Sequence, residues 1–269
     1  MDVSVLKGST KPTDISKHDV ANAAGSTIEK AISLDDENEA MQIMANGACH
    51  LTTQAYNDEK IDGVVILGGS MGTDLALDVC LSLPLGFPKY IISTIAFSPL
   101  LPTERIPADV QMILWAGGLY GLNSICKASL SQAAGAVLGA AKSLEKQHTN
   151  KPMVGMTSFG KTVLKYMVTL KPALEARGYE VAVFHPTGMG GRAFEDLATH
   201  GRFVCVMDFA TQEIGNHLFG SVVSAGPNRL TAAAIAGVPQ IVAPGCHDLV
   251  DFPGWQDLDA RWENHEVHA

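Results

Sequence analysis

IDGVVILGGSMGT, residues 61–73, carries three structural signals in a row. The apolar, β-branched run Ile61–Leu67 reads as a buried strand. A glycine pair follows at once, and the residues from Gly72 to Leu83 read as a helix. Strand, glycines and helix in that order make a βα turn, and in open parallel sheets ligands collect beyond the carboxyl ends of the strands. Glycine lets the backbone turn sharply and bring its N–H groups near an anion, while serine and threonine hydroxyls add donors. Gly68, Gly69, Ser70, Gly72 and Thr73 are therefore candidate phosphate-binding residues.

Outward from this turn the pattern repeats. A helix is expected over Ala40–Tyr56, strands at Lys89–Ile95 and Val110–Trp115, and a helix rich in small residues over Leu122–Lys146. The pattern restarts after the polar stretch KQHTNKP (146–152). Strands then fall near Pro152–Thr157, Glu180–His185, Phe203–Asp208 and Pro239–Ala243, with helices near Lys161–Arg177, Gly191–His200 and Asn228–Ala236. Alternating strands and helices imply a parallel sheet wrapped by helices. The expected fold is α/β, with two Rossmann-like lobes, 1–148 and 149–269, parallel sheets and a cleft between the lobes. The Ala, Gly and Ser content of 122–144 permits close helix approach and points to a homodimer.

Two further turns share the arrangement. In HPTGMGGRAFE (185–195), Thr187, Gly188, Gly190, Gly191 and Arg192 could grip a phosphate through N–H groups and a guanidinium. In SAGPNRL (224–230), Ser224, Gly226 and Asn228 are candidates, with Pro227 placed to begin a helix. GMTSFGKT (155–162) fits the phosphate-loop pattern G-x-x-x-x-G-K-[ST] at every fixed position. The strand, however, must consume Gly155 to Thr157, which leaves a turn too short to wrap a phosphate. Lys161 at a helix start then reads as a single anion-facing charge.

Glu213, in DFATQEIG, and Asp248, in HDLVDF, are the candidate acid/base or Mg²⁺-facing carboxylates. The end segment ENHEVHA does not follow the H-E-x-x-H zinc spacing, and no metal site is expected. A net charge of −9 argues against nucleic acid or anionic membrane as a partner. No apolar run reaches the ~18 residues of a membrane span, and the start MDVSVLKGSTKPTD is not that of a signal peptide. The five cysteines are widely spaced and read as reduced thiols of a cytoplasmic protein.

GVVILGGSMGT, LPLGFPKYIISTIA, GLNSICKASLSQAAGAVLGA, HPTGMGGRAFE, SVVSAGPNRLTAAAIAGVPQIVAPG and HDLVDF occur in the order of one family. Over roughly Asp14 to Phe252 the chain resembles the family of the nucleotide-binding N-terminal domain of the tomato mosaic virus resistance protein. The resemblance implies a two-lobed Rossmann-like fold, ATP as ligand with Mg as its companion, and dimers. Two readings follow: phosphoryl-transfer or ligase-type chemistry on a small metabolite, or a non-catalytic nucleotide-binding module that acts on a partner protein. Three positions depart from the pattern: Met71 replaces a usual glycine, Gly118 a usual aspartate, and Lys161 is a lysine the family usually lacks. On this resemblance, the chain is expected to lack the family's first βα unit and its last strands.

Overall fold

The computed structural model describes residues 1–115, 117, 121–144 and 151–266. Gly118, the proposed lobe boundary and the last residues of the ENHEVHA segment lie outside the described residues. The chain divides into two compact units, Met1–Lys146 and Gln147–Ala269. Each is built on its own parallel sheet.

The first unit opens with three helices, α1 (Lys17–Ala23), α2 (Ile28–Ser33) and α3 (Glu37–Asn57). Strand β1 (Val64–Gly68), helix α4 (Ser70–Ser82), strands β2 (Lys89–Ser93) and β3 (Gln111–Leu114) and helix α5 (Ser124–Lys142) follow. The sheet order is β1-β2-β3, with Val64 opposite Lys89 and Tyr90 opposite Gln111. Helices α1 and α2 have no counterpart in the strand-based sequence reading. Both are short, and their start signals lie in the side-chain caps of Ser16 and Thr27 rather than in apolar periodicity. Val20, Met44, Leu75 and Val79 form the core beneath β1, joined by Val64 and Ile66. Buried β2 begins at Lys89, whose side chain is 1% exposed and whose ammonium is held by Asp109 at 2.8 and 3.0 Å. That pairing offsets the cost of burying the charge.

The second unit runs β4 (Met153–Thr157), α6 (Gly160–Glu175), β5 (Glu180–Phe184), α7 (Met189–Thr199), β6 (Cys205–Asp208), α8 (Gln212–Leu218), α9 (Ala232–Ile235) and β7 (Gln240–Val242). Its sheet order is β5-β4-β6-β7, all parallel. The chain reverses direction across the sheet at β4 and β6, which makes their carboxyl ends the topological switch point. Gly155 sits mid-strand in β4, where an added Cβ would lie 2.8 Å from the rings of Phe194 and Phe203. Its lack of a side chain therefore serves aromatic packing, with Phe194 and Phe203 ring centroids 5.3 Å apart. The helix expected from Asn228 begins only at Ala232, because residues 227–231 form turns.

Candidate functional site

The three glycine-rich turns differ in what their glycines touch. In the first, β1 ends at Gly68 and α4 starts two residues later. A Cβ on Gly68 would come within 2.3 Å of the Gly72 carbonyl carbon, so close packing of strand on helix demands glycine there. Gly69 and Gly72 are different. Their added Cβ atoms would meet Thr94 Oγ1 at 3.9 Å and Leu67 O at 3.5 Å, which are ordinary contacts. Gly69 has φ −74°, open to any residue. Among the described residues, neither packing nor backbone conformation requires glycine at either position.

Thr73 is fully buried, and its hydroxyl donates to the Gly69 carbonyl at 2.6 Å while meeting the Ser93 hydroxyl at 2.7 Å. It braces the turn from beneath. Ser70 is exposed, and no side chain caps the start of α4. The contrast with α1, α2, α3 and α5 is direct, since Ser16, Thr27, Asp36 and Asn123 accept from first-turn N–H groups there. A cavity of about 760 Å³ adjoins the turn, lined in part by Met71, Gly72 and Leu75 of α4 and Met41 and Met44 of α3.

In the second turn every glycine has an internal explanation. Gly188 adopts φ +82°, a conformation that favours glycine. A Cβ on Gly190 would sit 1.8 Å from the His185 carbonyl oxygen, and one on Gly191 would sit 1.8 Å from Glu213 Oε2. The Gly188 N–H donates to Glu213 Oε1 at 2.5 Å, and the Gly191 N–H also bonds this carboxylate. These donors of the TGMGG turn are thus committed within the chain. Thr187 is exposed, and Arg192 is half-buried in the first turn of α7, its own N–H bonded to the Gly188 carbonyl at 2.9 Å.

Glu213 is 0% exposed. Its Oε2 accepts from Arg229 Nε at 2.8 Å. Arg229, equally enclosed, also pairs with both oxygens of Asp208, its Nη2 reaching Oδ1 at 2.7 Å, and reaches Glu195 through Nη1 at 2.9 Å. Asp208 accepts from the Thr157 hydroxyl at 2.7 Å, and Glu195 accepts from the N–H groups of Leu230 and Ala232 at 2.8 and 2.9 Å. One guanidinium therefore ties together the ends of β4 and β6 and the starts of α7, α8 and α9. Burial pushes the Glu213 carboxyl above its ordinary range, opposed by Arg229 and by the two glycine N–H groups. Burial also works against the Arg229 charge, but Asp208 and Glu213 more than offset it and hold that charge firmly.

The third turn is braced from α8. Ser224 bonds His217 Nδ1 at 3.2 Å and accepts from the Gly226 N–H at 3.0 Å, while Gly226 takes φ +90°. Asn228 is exposed, with its carbonyl accepting from Thr231. Asp248 is exposed on the loop after β7, where neighbouring His247 meets the Thr211 hydroxyl at 2.7 Å. The fourth glycine stretch, GMTSFGKT, has only Ser158 and Phe159 between β4 and α6. Phe159 stacks on His185 at 5.1 Å, and its carbonyl accepts from Cys246 Sγ at 3.3 Å. Lys161 is exposed at the start of α6, which also lacks a side-chain cap. Among the described residues no group of three or more His, Cys, Asp or Glu is placed to hold a metal ion.

Sequence reasoning singled out Glu213 for chemistry and passed over its partners Arg229, Asp208, Glu195 and Thr157 as a set. The available signal was an arginine beside a glycine turn with acids ending strand β6 and opening α8. Nothing local shows that the elements carrying them converge.

Fold and turns together define a two-unit Rossmann-like α/β protein with glycine turns at the carboxyl ends of parallel strands. Two family profiles cover nearly all of the chain: the uncharacterised protein family UPF0261 N-terminal domain over residues 1–146 and its C-terminal domain over residues 151–269. The chain belongs to this family. It is 55% identical over all 269 residues to a UPF0261 protein of Brucella suis, covering 64% of that relative. A UPF0261 protein of Clostridium tetani is 39% identical over 253 residues, 94% of this chain and 62% of the relative. The tomato (Solanum lycopersicum) ToMV resistance protein Tm-1(GCR237) is 33% identical over 238 residues, 85% of this chain and 31% of that protein. The chain thus spans less than two thirds of the length of these relatives. No described helix is long and apolar enough to cross a membrane.

Proposed function

We propose that this chain binds a nucleotide or phosphorylated small metabolite, with ATP the expected ligand, and that the anion rests on the first glycine turn. The observation that carries this reading is the pair Gly69 and Gly72. They lie at an uncapped helix start, yet no contact among the described residues requires them to be glycine. Absence of a side chain there leaves the backbone N–H groups of the first turn open to an outside group. The start of a helix carries roughly half a unit of positive charge, so a phosphate is the natural complement. The exposed Ser70 hydroxyl adds a donor at the same edge. The apolar cavity beside Met71 offers room for the non-phosphate part of such a ligand.

Of the two carboxylates the sequence offers for acid/base work, Glu213 is sealed and engaged by Arg229 and two glycine N–H groups. This takes Glu213 out of acid/base work and leaves exposed Asp248 as the carboxylate for phosphoryl-transfer chemistry, with a non-catalytic binding module that acts on a partner protein as the alternative. Calorimetric titration with ATP, pyrophosphate and sugar phosphates tests the site, using the parent and Gly69→Val. Valine fits the backbone at this position, so the melting temperature should hold while phosphate affinity falls at least tenfold. Equal affinity in both proteins would remove the assignment. ATP turnover that rises with an added metabolite would favour the enzyme reading over the module.

A further inference from the structure

The second glycine turn has the form of a phosphate loop, and its anion position is already filled. The N-terminus of α7 has no local side-chain cap. Instead the Glu213 carboxylate, 25 residues along the chain from Gly188, takes the Gly188 N–H at 2.5 Å and the Gly191 N–H. Gly191 leaves room for it, since any side chain there would overlap the carboxylate. Behind it, Arg229 Nε closes the second oxygen at 2.8 Å. A carboxylate bound by two backbone N–H groups at a helix start and by a guanidinium has the surroundings that a bound phosphate would have.

We propose that Glu213 is a built-in anion that occupies the TGMGG turn and excludes external phosphate from it, making this turn a latent anion site. Glu213 is in this sense a specificity-determining residue of the second unit. It confines phosphate recognition to turns whose N–H groups are open. The inference stands whether or not the α4 turn binds a nucleotide, because it concerns a separate set of donors. Asp208 and Glu195 hold Arg229 in place when Glu213 is removed, so its Nε and the Gly188 and Gly191 N–H groups are left as unanswered donors around the emptied position. A small anion should then enter it.

The test is chemical rescue on the full chain. Melting temperatures of the parent, Glu213→Ala and Glu213→Gln are compared in sodium formate, in formamide and in sodium chloride of matched ionic strength. The parent should melt alike in formate and chloride. Glu213→Ala should melt lower in chloride and recover much of the loss in formate but not in formamide. Glu213→Gln keeps the bulk and should show no formate response. A Glu213→Ala protein that gains no more from formate than the parent does would overturn the proposal.

A parent-only measurement covers the case in which Glu213→Ala does not fold. In amide NMR spectra titrated with inorganic phosphate, the Gly188 and Gly191 resonances should stay fixed. Movement of those two amides would likewise overturn it. The Met71 and Gly72 resonances report the α4 assignment separately in the same titration, so failure of one reading is distinguishable from failure of the other.

Discussion

The turns GGSMGT and TGMGG look alike on paper and differ in what answers their backbone donors. After β1, the glycines at 69 and 72 meet only ordinary contacts among the described residues, and the helix start above them lacks a side-chain cap. After β5, each glycine is fixed by a backbone angle, a carbonyl or a carboxylate of the same chain. A glycine-rich βα turn is therefore not one kind of object. Its ligand is whatever anion the fold brings to it, and a buried glutamate serves as well as a phosphate.

The severest way to break the comparison is to remove the cation behind the second turn. Arg229→Met should leave Asp208, Glu213 and Glu195 as buried carboxylates without their shared partner. Loss of one member of a buried ion pair costs about 3–5 kcal/mol, and here three carboxylates lose it together. Urea denaturation should show the second unit unfolded or close to it at neutral pH. A variant within ~1 kcal/mol of the parent would mean that the network contributes little to holding the turn.

A gentler change separates the turns by stability alone. Gly190→Ala and Gly191→Ala force a methyl into the His185 carbonyl and the Glu213 carboxylate, and overpacking of this kind costs about 1–3 kcal/mol. Gly69→Ala and Gly72→Ala meet only ordinary contacts and should stay within ~0.5 kcal/mol of the parent. Denaturant midpoints of the four variants check this directly. Similar losses at all four positions would erase the distinction between the turns. Gly190→Val, at a position the sequence offers for phosphate binding, should disrupt the turn itself.

The smallest expected effect concerns GMTSFGKT. With β4 running through Thr157 and α6 beginning at Gly160, Lys161 is one exposed charge on a short turn. Lys161→Ala should weaken ATP binding by no more than ~1 kcal/mol, measured by titration. Loss of all detectable binding would show that the phosphate-loop spelling is functional after all.

Much of the architecture was legible in the amino-acid order. Apolar β-branched runs placed the seven strands of the described residues to within a few residues, as for Lys89–Ile95 against the observed Lys89–Ser93. The short helices α1, α2 and α8 escaped because they bury few residues and show no long periodicity. Pro227 invited a helix start at Asn228, but residues 227–231 are spent in turns that carry Arg229 into its cluster of acids.

Sequence alone determined where the chain turns and that glycine stands at each turn, because strand and helix periods are local properties of the backbone. Tertiary structure alone decided which glycines are answered from within. Glu213 meets Gly188 across 25 residues, and Arg229 meets Glu195 across 34. Such partners are set by the order of strands in the sheet. That order follows from packing of the whole unit, so no short stretch of sequence records it.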